Sequence, residues 1–270
     1  MQAVILAAGM GMRIREHHEA PKGFIALNKT PIILESIQKL KQQGVNDILI
    51  VTGYNADFYN ELAKTDDAIT TLFNKKFSDS GSLYSLYCAK DWIKDEFLLL
   101  ESDLIYETRA INTICNAPEQ NVILLSGTTE SGDEVYVETQ EKQLKNMSKK
   151  RESLNSKNIL GEFVGINKLG LTAYQKLVHL LETDNSLLEN GNYEENGLVE
   201  LSKHTPVYCL KIPDLLWCEI DNLDHLERAK GIYEKIKCHR EERYTLRVQV
   251  DAAISMHNKN RNKNDNKHKT

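Results

Sequence analysis

A short apolar strand that runs directly into closely spaced glycines constrains this chain more than any other feature of its sequence. Residues 3–8 (Ala-Val-Ile-Leu-Ala-Ala) predict a buried β-strand, and Gly9 and Gly11 follow it at once. Glycines at a strand end let backbone N–H groups approach phosphate oxygens, and Arg13 and Lys22 add two cations nearby in the sequence. The segment therefore predicts an α/β fold that binds a triphosphate where its first strand ends.

The spacing of these glycines differs from that of the two common phosphate-binding loops. No Gly-Lys-Ser/Thr sequence follows them, as a P-loop requires, and the glycine pattern of a dinucleotide-binding loop is incomplete. The residues alone leave one alternative open, which is an ordinary glycine-rich turn in an α/β protein.

Size, charge and cysteine content exclude several classes of protein. The 270 residues are 41% hydrophobic and 27% charged, as in ordinary globular domains, so one substantial core is expected. A net charge of −5 offers no attraction for nucleic acid, and the apolar stretches are too short to predict a membrane span. The five cysteines never occur in Cys-x-x-Cys spacing, which argues against a zinc site and a disulfide framework. Together with a first strand that begins at the N-terminus, this predicts a cytoplasmic protein.

Strand and helix patterns alternate along most of the chain, which is typical of a sheet with helices on both faces. We expect residues 1–237 to form a single Rossmann-like α/β domain with a mixed, mostly parallel sheet. Residues 127–158 alternate polar and apolar side chains, which predicts an exposed, β-rich flap inserted over the sheet. Residues 238–270 become rich in Asn and Lys and are predicted to be a linker or a disordered tail.

Two acidic residues follow predicted strands. Asp103 comes after the apolar segment 98–100, and Asp221 comes after 217–220. Ligands of open α/β sheets bind at the carboxyl ends of the strands, so both carboxylates are expected in one crevice, where Mg²⁺ would suit them. The alternatives are a helix N-cap for Asp221 and a turn residue for Asp103.

Two serines begin a helix that is predicted for residues 82–92. We expect Ser80 or Ser82 to cap this helix. The N-terminus of such a helix, beside the glycine loop, could also bind the nucleotide base or the acceptor phosphate.

These motifs together resemble the cytidylyltransferases for phosphocholine and 2-aminoethylphosphonate, within the sugar-nucleotidyltransferase superfamily. The motifs that carry the resemblance are Leu-Ala-Ala-Gly-x-Gly-x-Arg (6–13), Pro-Lys (21–22), Val-Thr-Gly-Tyr (51–54), Phe-Asn-x-x-Phe (73–77), Ser-Leu-Tyr-Ser-Leu-Tyr (82–87) and Glu-Ile-Asp (219–221). The resemblance covers residues 1–237 and is greatest to the phosphonate-activating branch. Members of that branch are sometimes fused to a downstream transaminase.

The resemblance implies the nucleotide-diphospho-sugar transferase fold and a direct displacement. An acceptor phosphate or phosphonate oxygen would attack the α-phosphorus of CTP, and pyrophosphate would leave with Mg²⁺. It implies that Asp103 and Asp221 bind the metal and that Arg13 and Lys22 stabilise the transferred charge, with no nucleophilic side chain required. The residues expected to bind the nucleotide are Leu6, Ala7, Ala8, Gly9, Met10, Gly11, Met12, Arg13, Lys22, Ser80 and Ser82.

Acidic residues in the predicted flap indicate the kind of acceptor. A primary ammonium donates hydrogen bonds to carboxylates, whereas a trimethylammonium is usually held in an aromatic cage. The chain has only two tryptophans, both in predicted core segments, so 2-aminoethylphosphonate, a substrate of phosphonate biosynthesis, is favoured over phosphocholine. The residues predicted to bind the acceptor are Asp133, Glu134, Tyr136, Lys149, Lys150, Tyr193 and Glu194.

Other functions remain open on the sequence alone. A sugar-1-phosphate nucleotidyltransferase would need a pocket that reads hydroxyl groups, and a non-catalytic regulatory subunit would need no metal site. The expected partners are small-molecule substrates, and the sequence is compatible with a homodimer and with fusion to a transaminase domain.

Overall fold

The computed structural model describes residues 1–15, 18–189 and 191–239 of the chain. The strands are β1 (Gln2–Ala7), β2 (Ile48–Thr52), β3 (Ile69–Phe73), β4 (Phe97–Glu101), β5 (Leu104–Tyr106), β6 (Val122–Ser126), β7 (Tyr136–Gln140), β8 (Gln143–Ser148), β9 (Ile159–Leu169), β10 (Tyr208–Ile212) and β11 (Trp217–Glu219). The helices are α1 (Ile32–Gln42), α2 (Ala56–Lys64), α3 (Ser82–Cys88), α4 (Arg109–Cys115), α5 (Leu171–Thr183), α6 (Ser186–Glu189), α7 (Glu194–Ser202) and α8 (223–239).

One half of the main sheet has the predicted parallel architecture. β1 pairs in parallel with β2 and β4, and β2 pairs in parallel with β3. All six residues of β1 are buried, because helices cover both faces of this half. Alternate β1 side chains enter two different cores: Ile5 packs in the cluster that contains α1, α2 and α4, and Val4 packs in the cluster that contains α3, α5 and α7. The prediction of a sheet with helices on both faces is confirmed.

The other half of the sheet has mostly antiparallel pairing, so the prediction of a mixed, mostly parallel sheet describes the pairing of the first half only. The nine-stranded sheet has the order β3-β2-β1-β4-β9-β6-β10-β8-β7, and β7 also pairs with β9. The long strand β9 runs antiparallel to β4, β6 and β7, and β10 is antiparallel to β8. The strands β9, β6, β10, β8 and β7 therefore close into a ring, which periodicity along the chain does not reveal.

The predicted flap is part of this ring. The segment 127–158 does contain a hairpin, β7–β8, but both of its strands belong to the main sheet. Val137 and Leu144 are fully buried, in the cluster that contains α3 and α5. The expectation of an exposed flap over the sheet is therefore wrong, because the apolar side of the hairpin packs in the core.

The last elements bring the end of the chain back to the first loop. β11 pairs antiparallel with β5 in a separate two-stranded sheet. A third apolar cluster, which includes Ile14, Ile220 and Ala229, packs α8 against the segment that follows the glycine loop. Helix α8 reaches residue 239, beyond the predicted domain end at 237, and the rest of the predicted tail lies outside the described residues. Among the described helices, none combines the length and apolar character needed to cross a bilayer.

Candidate active site

A cavity of about 420 Å³ opens at the carboxyl ends of β1 and β4. Its wall includes every residue that the sequence predicted to bind nucleotide: Leu6, Ala7, Ala8, Gly9, Met10, Gly11, Met12, Arg13, Lys22, Ser80 and Ser82. The strand order explains this, because β1 lies in the interior of the sheet and its end faces the middle of the cavity.

The glycine loop turns sharply after β1. Gly11 has a φ of +58°, in the left-handed region that favours glycine, and its carbonyl accepts hydrogen bonds from the N–H groups of Ile14 and Arg15, both at 3.0 Å. A Cβ on Gly11 would lie 3.4 Å from Cγ of Lys22. The turn therefore brings the glycine backbone directly against the lysine predicted to be catalytic.

Lys22 joins the two predicted metal ligands. Its Nζ lies 2.8 Å from Oδ2 of Asp103 and also forms an ion pair with Oδ1 of Asp221. Nη2 of Arg13 lies 2.7 Å from Oδ2 of Asp221. Burial opposes the charge on Lys22, but the two carboxylates outweigh burial and raise the pKa of Lys22 above its ordinary value. The four residues predicted to be catalytic thus form one network.

Asp221 is not the N-cap of the following helix. The N–H of His225 donates to Oδ1 of Asn222 at 2.9 Å, so Asn222 caps α8. The Asp221 carboxylate instead faces Lys22 and Arg13. Burial favours the neutral form of Asp221, but the charges of Lys22 and Arg13 outweigh burial and lower its pKa.

Two further carboxylates, Glu101 and Glu219, were not predicted. Carboxylate oxygens of Glu101, Asp103 and Glu219 lie within 4.8 Å of one another. Burial raises the pKa of both glutamates, and the charges of Glu194 on Glu101 and of Asp103 on Glu219 add to the effect. The sequence held a signal for them. Each is the last residue of its strand and stands two residues before a predicted metal ligand, in a Glu-x-Asp triplet.

The donor set at this point suits a hard divalent cation. Glu101, Asp103, Glu219 and Asp221 offer only carboxylate oxygens, the ligands that Mg²⁺ prefers, beside a loop shaped for phosphate. The residues present therefore fit such an ion, with Asp103 and Asp221 as the predicted ligands.

The two serines line the cavity without capping the helix. Helix α3 begins after Gly81 and has no side-chain cap. Oγ of Ser82 hydrogen-bonds to Glu194 and accepts the Glu194 N–H at 3.0 Å, while Oγ of Ser80 accepts from Nδ2 of Asn74 at 3.1 Å. The capping prediction is wrong because these other partners already hold both hydroxyl groups.

The predicted acceptor residues separate into two groups. Asp133, Lys149 and Tyr193 line the cavity, with Nζ of Lys149 2.7 Å from Oδ1 of Asp133. The others, Glu134, Tyr136, Lys150 and Glu194, are not among the residues of its wall. Tyr136 packs under the guanidinium of Arg151, and Glu194 is buried against Ser82.

Two glutamates that the sequence did not single out line the cavity as well. Burial and the charge of Glu194 raise the pKa of Glu195 to about 8. Burial raises the pKa of Glu162 to about 7, although its carboxylate accepts hydrogen bonds from N and Oγ of Thr129 at 2.7 and 2.9 Å. No local pattern marks either residue, because strand pairing and helix docking bring them to the wall.

The chain is similar to several cytidylyltransferases. Residues 3–233 match the family described as the MobA-like NTP transferase domain. Choline-phosphate cytidylyltransferase of Streptococcus pneumoniae is 33% identical over 42% of this chain, and the match spans 50% of that protein. CTP:phosphoglutamine cytidylyltransferase of Campylobacter jejuni is 24% identical over 84% of this chain and 98% of that protein. CMP-5'-(3-aminopropyl)phosphonate synthase of Streptomyces rubellomurinus is 28% identical over 47% of this chain, but the match spans only 21% of that protein.

Solved structures share the fold. The inositol-1-phosphate CTP transferase from T. maritima has a TM-score of 0.73 at 18% identity, covering 87% of this chain and 96% of that one. The CTP:phosphocholine cytidylyltransferase from Streptococcus pneumoniae has a TM-score of 0.71 at 21% identity, covering 86% and 98%. The mixed α/β class of the prediction is therefore confirmed.

Proposed function

Because this chain belongs to the MobA-like NTP transferase family and is a nucleotidyltransferase, we propose that it transfers CMP from CTP to 2-aminoethylphosphonate. The observation that carries this proposal is the meeting of two cations and two carboxylates beneath the glycine loop: Arg13, Lys22, Asp103 and Asp221. The choice of CTP is supported by the similarity to cytidylyltransferases.

The reaction needs positioning and charge stabilisation more than a reactive side chain. A phosphonate oxygen forms a bond to the α-phosphorus of CTP while the bond from that phosphorus to the bridging oxygen breaks, and pyrophosphate leaves. The backbone of the glycine loop binds the phosphates. Lys22, already held at 2.8 Å from Asp103, presents a fixed positive charge to the transferred group, and Arg13, which is 60% exposed, contacts the leaving pyrophosphate.

A Mg²⁺ ion held by Asp103 and Asp221 would supply further neutralisation of phosphate charge. Glu101 and Glu219 would complete the oxygen-rich surroundings from the same two strand ends. The chain's own task is to keep these carboxylates close together. It does so through β4 and β11 and through the hydrogen bond from the Ile220 N–H to the Asp103 carbonyl at 3.0 Å.

The acceptor is argued from the charge balance of the cavity wall. Glu162, which is buried, and Glu195, which is half-buried, line this wall, and neither forms an ion pair with a described side chain. A primary ammonium can donate three hydrogen bonds to such groups, whereas a trimethylammonium can donate none. The relative named as an aminopropylphosphonate synthase supports an aminophosphonate substrate.

Phosphocholine is the second candidate. Tyr193 lines the cavity and is 59% exposed, so its ring is available to contact a trimethylammonium group, and choline-phosphate cytidylyltransferases are among the relatives.

Pyrophosphate release measured for each of four nucleoside triphosphates with each of four acceptors tests both candidates. The acceptors are 2-aminoethylphosphonate, phosphoethanolamine, phosphocholine and glucose 1-phosphate. We expect CTP with 2-aminoethylphosphonate to give a kcat/KM at least about tenfold above CTP with phosphocholine, because unpaired buried acceptors penalise the wrong head group. Phosphoethanolamine should fall between them. A preference for phosphocholine, or activity only with glucose 1-phosphate, would overturn the acceptor, and turnover only with a nucleotide other than CTP would overturn the cytidylyltransferase assignment.

A further inference from the structure

Tyr59 lies beneath the active site, and neither the predicted motifs nor the proposed reaction gives it a role. It belongs to α2, is 1% exposed, and forms part of the cavity floor. Its hydroxyl lies beside the side chain of Ser102 and the backbone of Gly23. Gly23 directly follows Lys22, and Ser102 directly precedes Asp103. One buried hydroxyl therefore lies between the neighbours of both residues.

Gly23 leaves the space that this hydroxyl occupies. A Cβ on Gly23 would lie 2.9 Å from the Tyr59 hydroxyl oxygen and 3.2 Å from the carbonyl oxygen of Ser102. These distances are shorter than ordinary carbon–oxygen contacts, so any larger residue would push the Tyr59 hydroxyl or the Lys22 turn away. The hydroxyl of Tyr59 thus fits at this position because residue 23 has no side chain.

The backbone of the Lys22 turn is short. It is a three-residue 3-10 turn, closed by the Phe24 N–H to the Pro21 carbonyl at 2.8 Å and by the Ile25 N–H to the Lys22 carbonyl at 2.9 Å. The Tyr59 ring is fixed by the core cluster that contains α1, α2 and α4, and it also packs edge-on against Phe24 of the turn, with centroids 5.1 Å apart. The hydroxyl of Tyr59 is therefore a rigid anchor for a short turn.

We propose that Tyr59 is a positioning residue whose hydroxyl fixes the Lys22 ammonium relative to the Asp103 carboxylate. A catalytic charge displaced by about 1 Å can lose about a hundredfold in rate, so an anchor at this point affects turnover more than stability. This inference rests on the proposed roles of Lys22 and Asp103, but it does not depend on which acceptor the enzyme uses.

The variant Tyr59→Phe removes the hydroxyl and keeps the ring. Its matched control is Tyr174→Phe: Tyr174 is 2% exposed, donates its hydroxyl to the Leu86 carbonyl at 2.8 Å, and packs edge-on against Phe97 at 5.2 Å, but it does not line the cavity. We expect both variants to lower Tm by similar amounts. Only Tyr59→Phe should lower kcat, by about tenfold to a hundredfold, with the KM for CTP changed by less than about threefold.

A double-variant cycle supplies a readout that lost stability alone would not give. Gly23→Ala should lower kcat by itself, because its methyl group displaces the hydroxyl. In Gly23→Ala with Tyr59→Phe the methyl group enters the vacated space, so kcat should be no lower than in Tyr59→Phe alone.

The outcomes that overturn the inference are distinct. A kcat of Tyr59→Phe within about threefold of wild type refutes it, as does an equal loss of kcat in Tyr174→Phe. If Tyr59→Phe does not fold, Gly23→Ala decides alone, and wild-type kcat in that variant refutes the inference. If one acceptor is not a substrate, the kcat values of the variants can still be compared with another acceptor. If no nucleotide and acceptor give turnover, the proposed function and this inference are refuted together.

Discussion

Removing the positive charge of Lys22 should affect both stability and turnover, and the structure sets the scale of each. In Lys22→Met the side chain keeps most of its volume but loses both of its ion pairs, with Asp103 and Asp221. The three side chains are only 18%, 13% and 7% exposed, so these are buried pairs. Breaking a buried pair typically costs about 3–5 kcal/mol. Arg13 still contacts Asp221, so we expect a loss near the lower end of that range.

The loss in turnover has a separate cause. A preorganised charge stabiliser is worth about 10² to 10³ in kcat, and we expect Lys22→Met to lower kcat by this factor in the pyrophosphate-release assay. Mg²⁺ at millimolar concentration should raise the Tm of the variant more than that of wild type, because the uncompensated carboxylates gain a cation.

The matched control is Lys41→Met. Lys41 pairs with Asp66, neither residue lines the cavity, and both side chains are about a third exposed (33% and 27%), so its loss should cost at most about 1 kcal/mol and leave kcat unchanged. A Lys22→Met enzyme with a kcat within about threefold of wild type would refute the proposed role of Lys22. An effect confined to the KM for CTP would mean that Lys22 binds substrate and transition state equally.

Three further predictions concern the same cavity. Asp103→Asn and Asp221→Asn should each remove nearly all turnover while circular dichroism shows a folded protein; activity within about threefold of wild type would exclude that residue as a metal ligand. Glu162 has a folded-state pKa of about 7, above the ordinary 4.5, so the native state binds more protons and its stability should fall by at most about 3 kcal/mol as pH rises from about 4.5 to 7. In urea unfolding, the stability of Glu162→Gln should not fall in this way. If Glu162→Gln shows the same dependence of stability on pH as wild type, the raised pKa of Glu162 is contradicted. Gly11→Ala should lower stability by about 1 kcal/mol and also kcat/KM, because φ is +58° and the new Cβ meets Lys22; wild-type values in both assays would contradict this account.

Local features of the sequence predicted the glycine loop and the network around Lys22. Each of these features is a local pattern of a few residues: a buried strand, the glycines after it, and the acids after two other strands. All of them predict residues at strand ends. Glu101 and Glu219 could have been predicted in the same way, since each ends a strand and stands two residues before Asp103 or Asp221. The local part of the site was therefore accessible from the sequence.

The remaining differences come from contacts between distant parts of the chain. The alternation in residues 136–140 predicts a half-buried strand, but it does not identify the strand that pairs with it or the core that receives Val137. Glu162 reaches the cavity wall because β9 runs antiparallel to its neighbours, and Glu195 does so because α7 packs against α3 and α5. Pairing and docking of this kind leave no periodic signal in either partner.

The network around Asp221 also determines when, during synthesis, the active site of a new chain can be completed. Asp221 is 208 residues from Arg13 and 199 from Lys22 along the chain, whereas Lys22 and Asp103 are only 81 apart. A ribosome therefore completes the glycine loop, the Lys22 turn and the parallel half of the sheet long before it produces β11. Until that strand pairs with β5, Arg13 and Lys22 lack their shared carboxylate, so the network around Lys22 is complete only after residue 221 has been made.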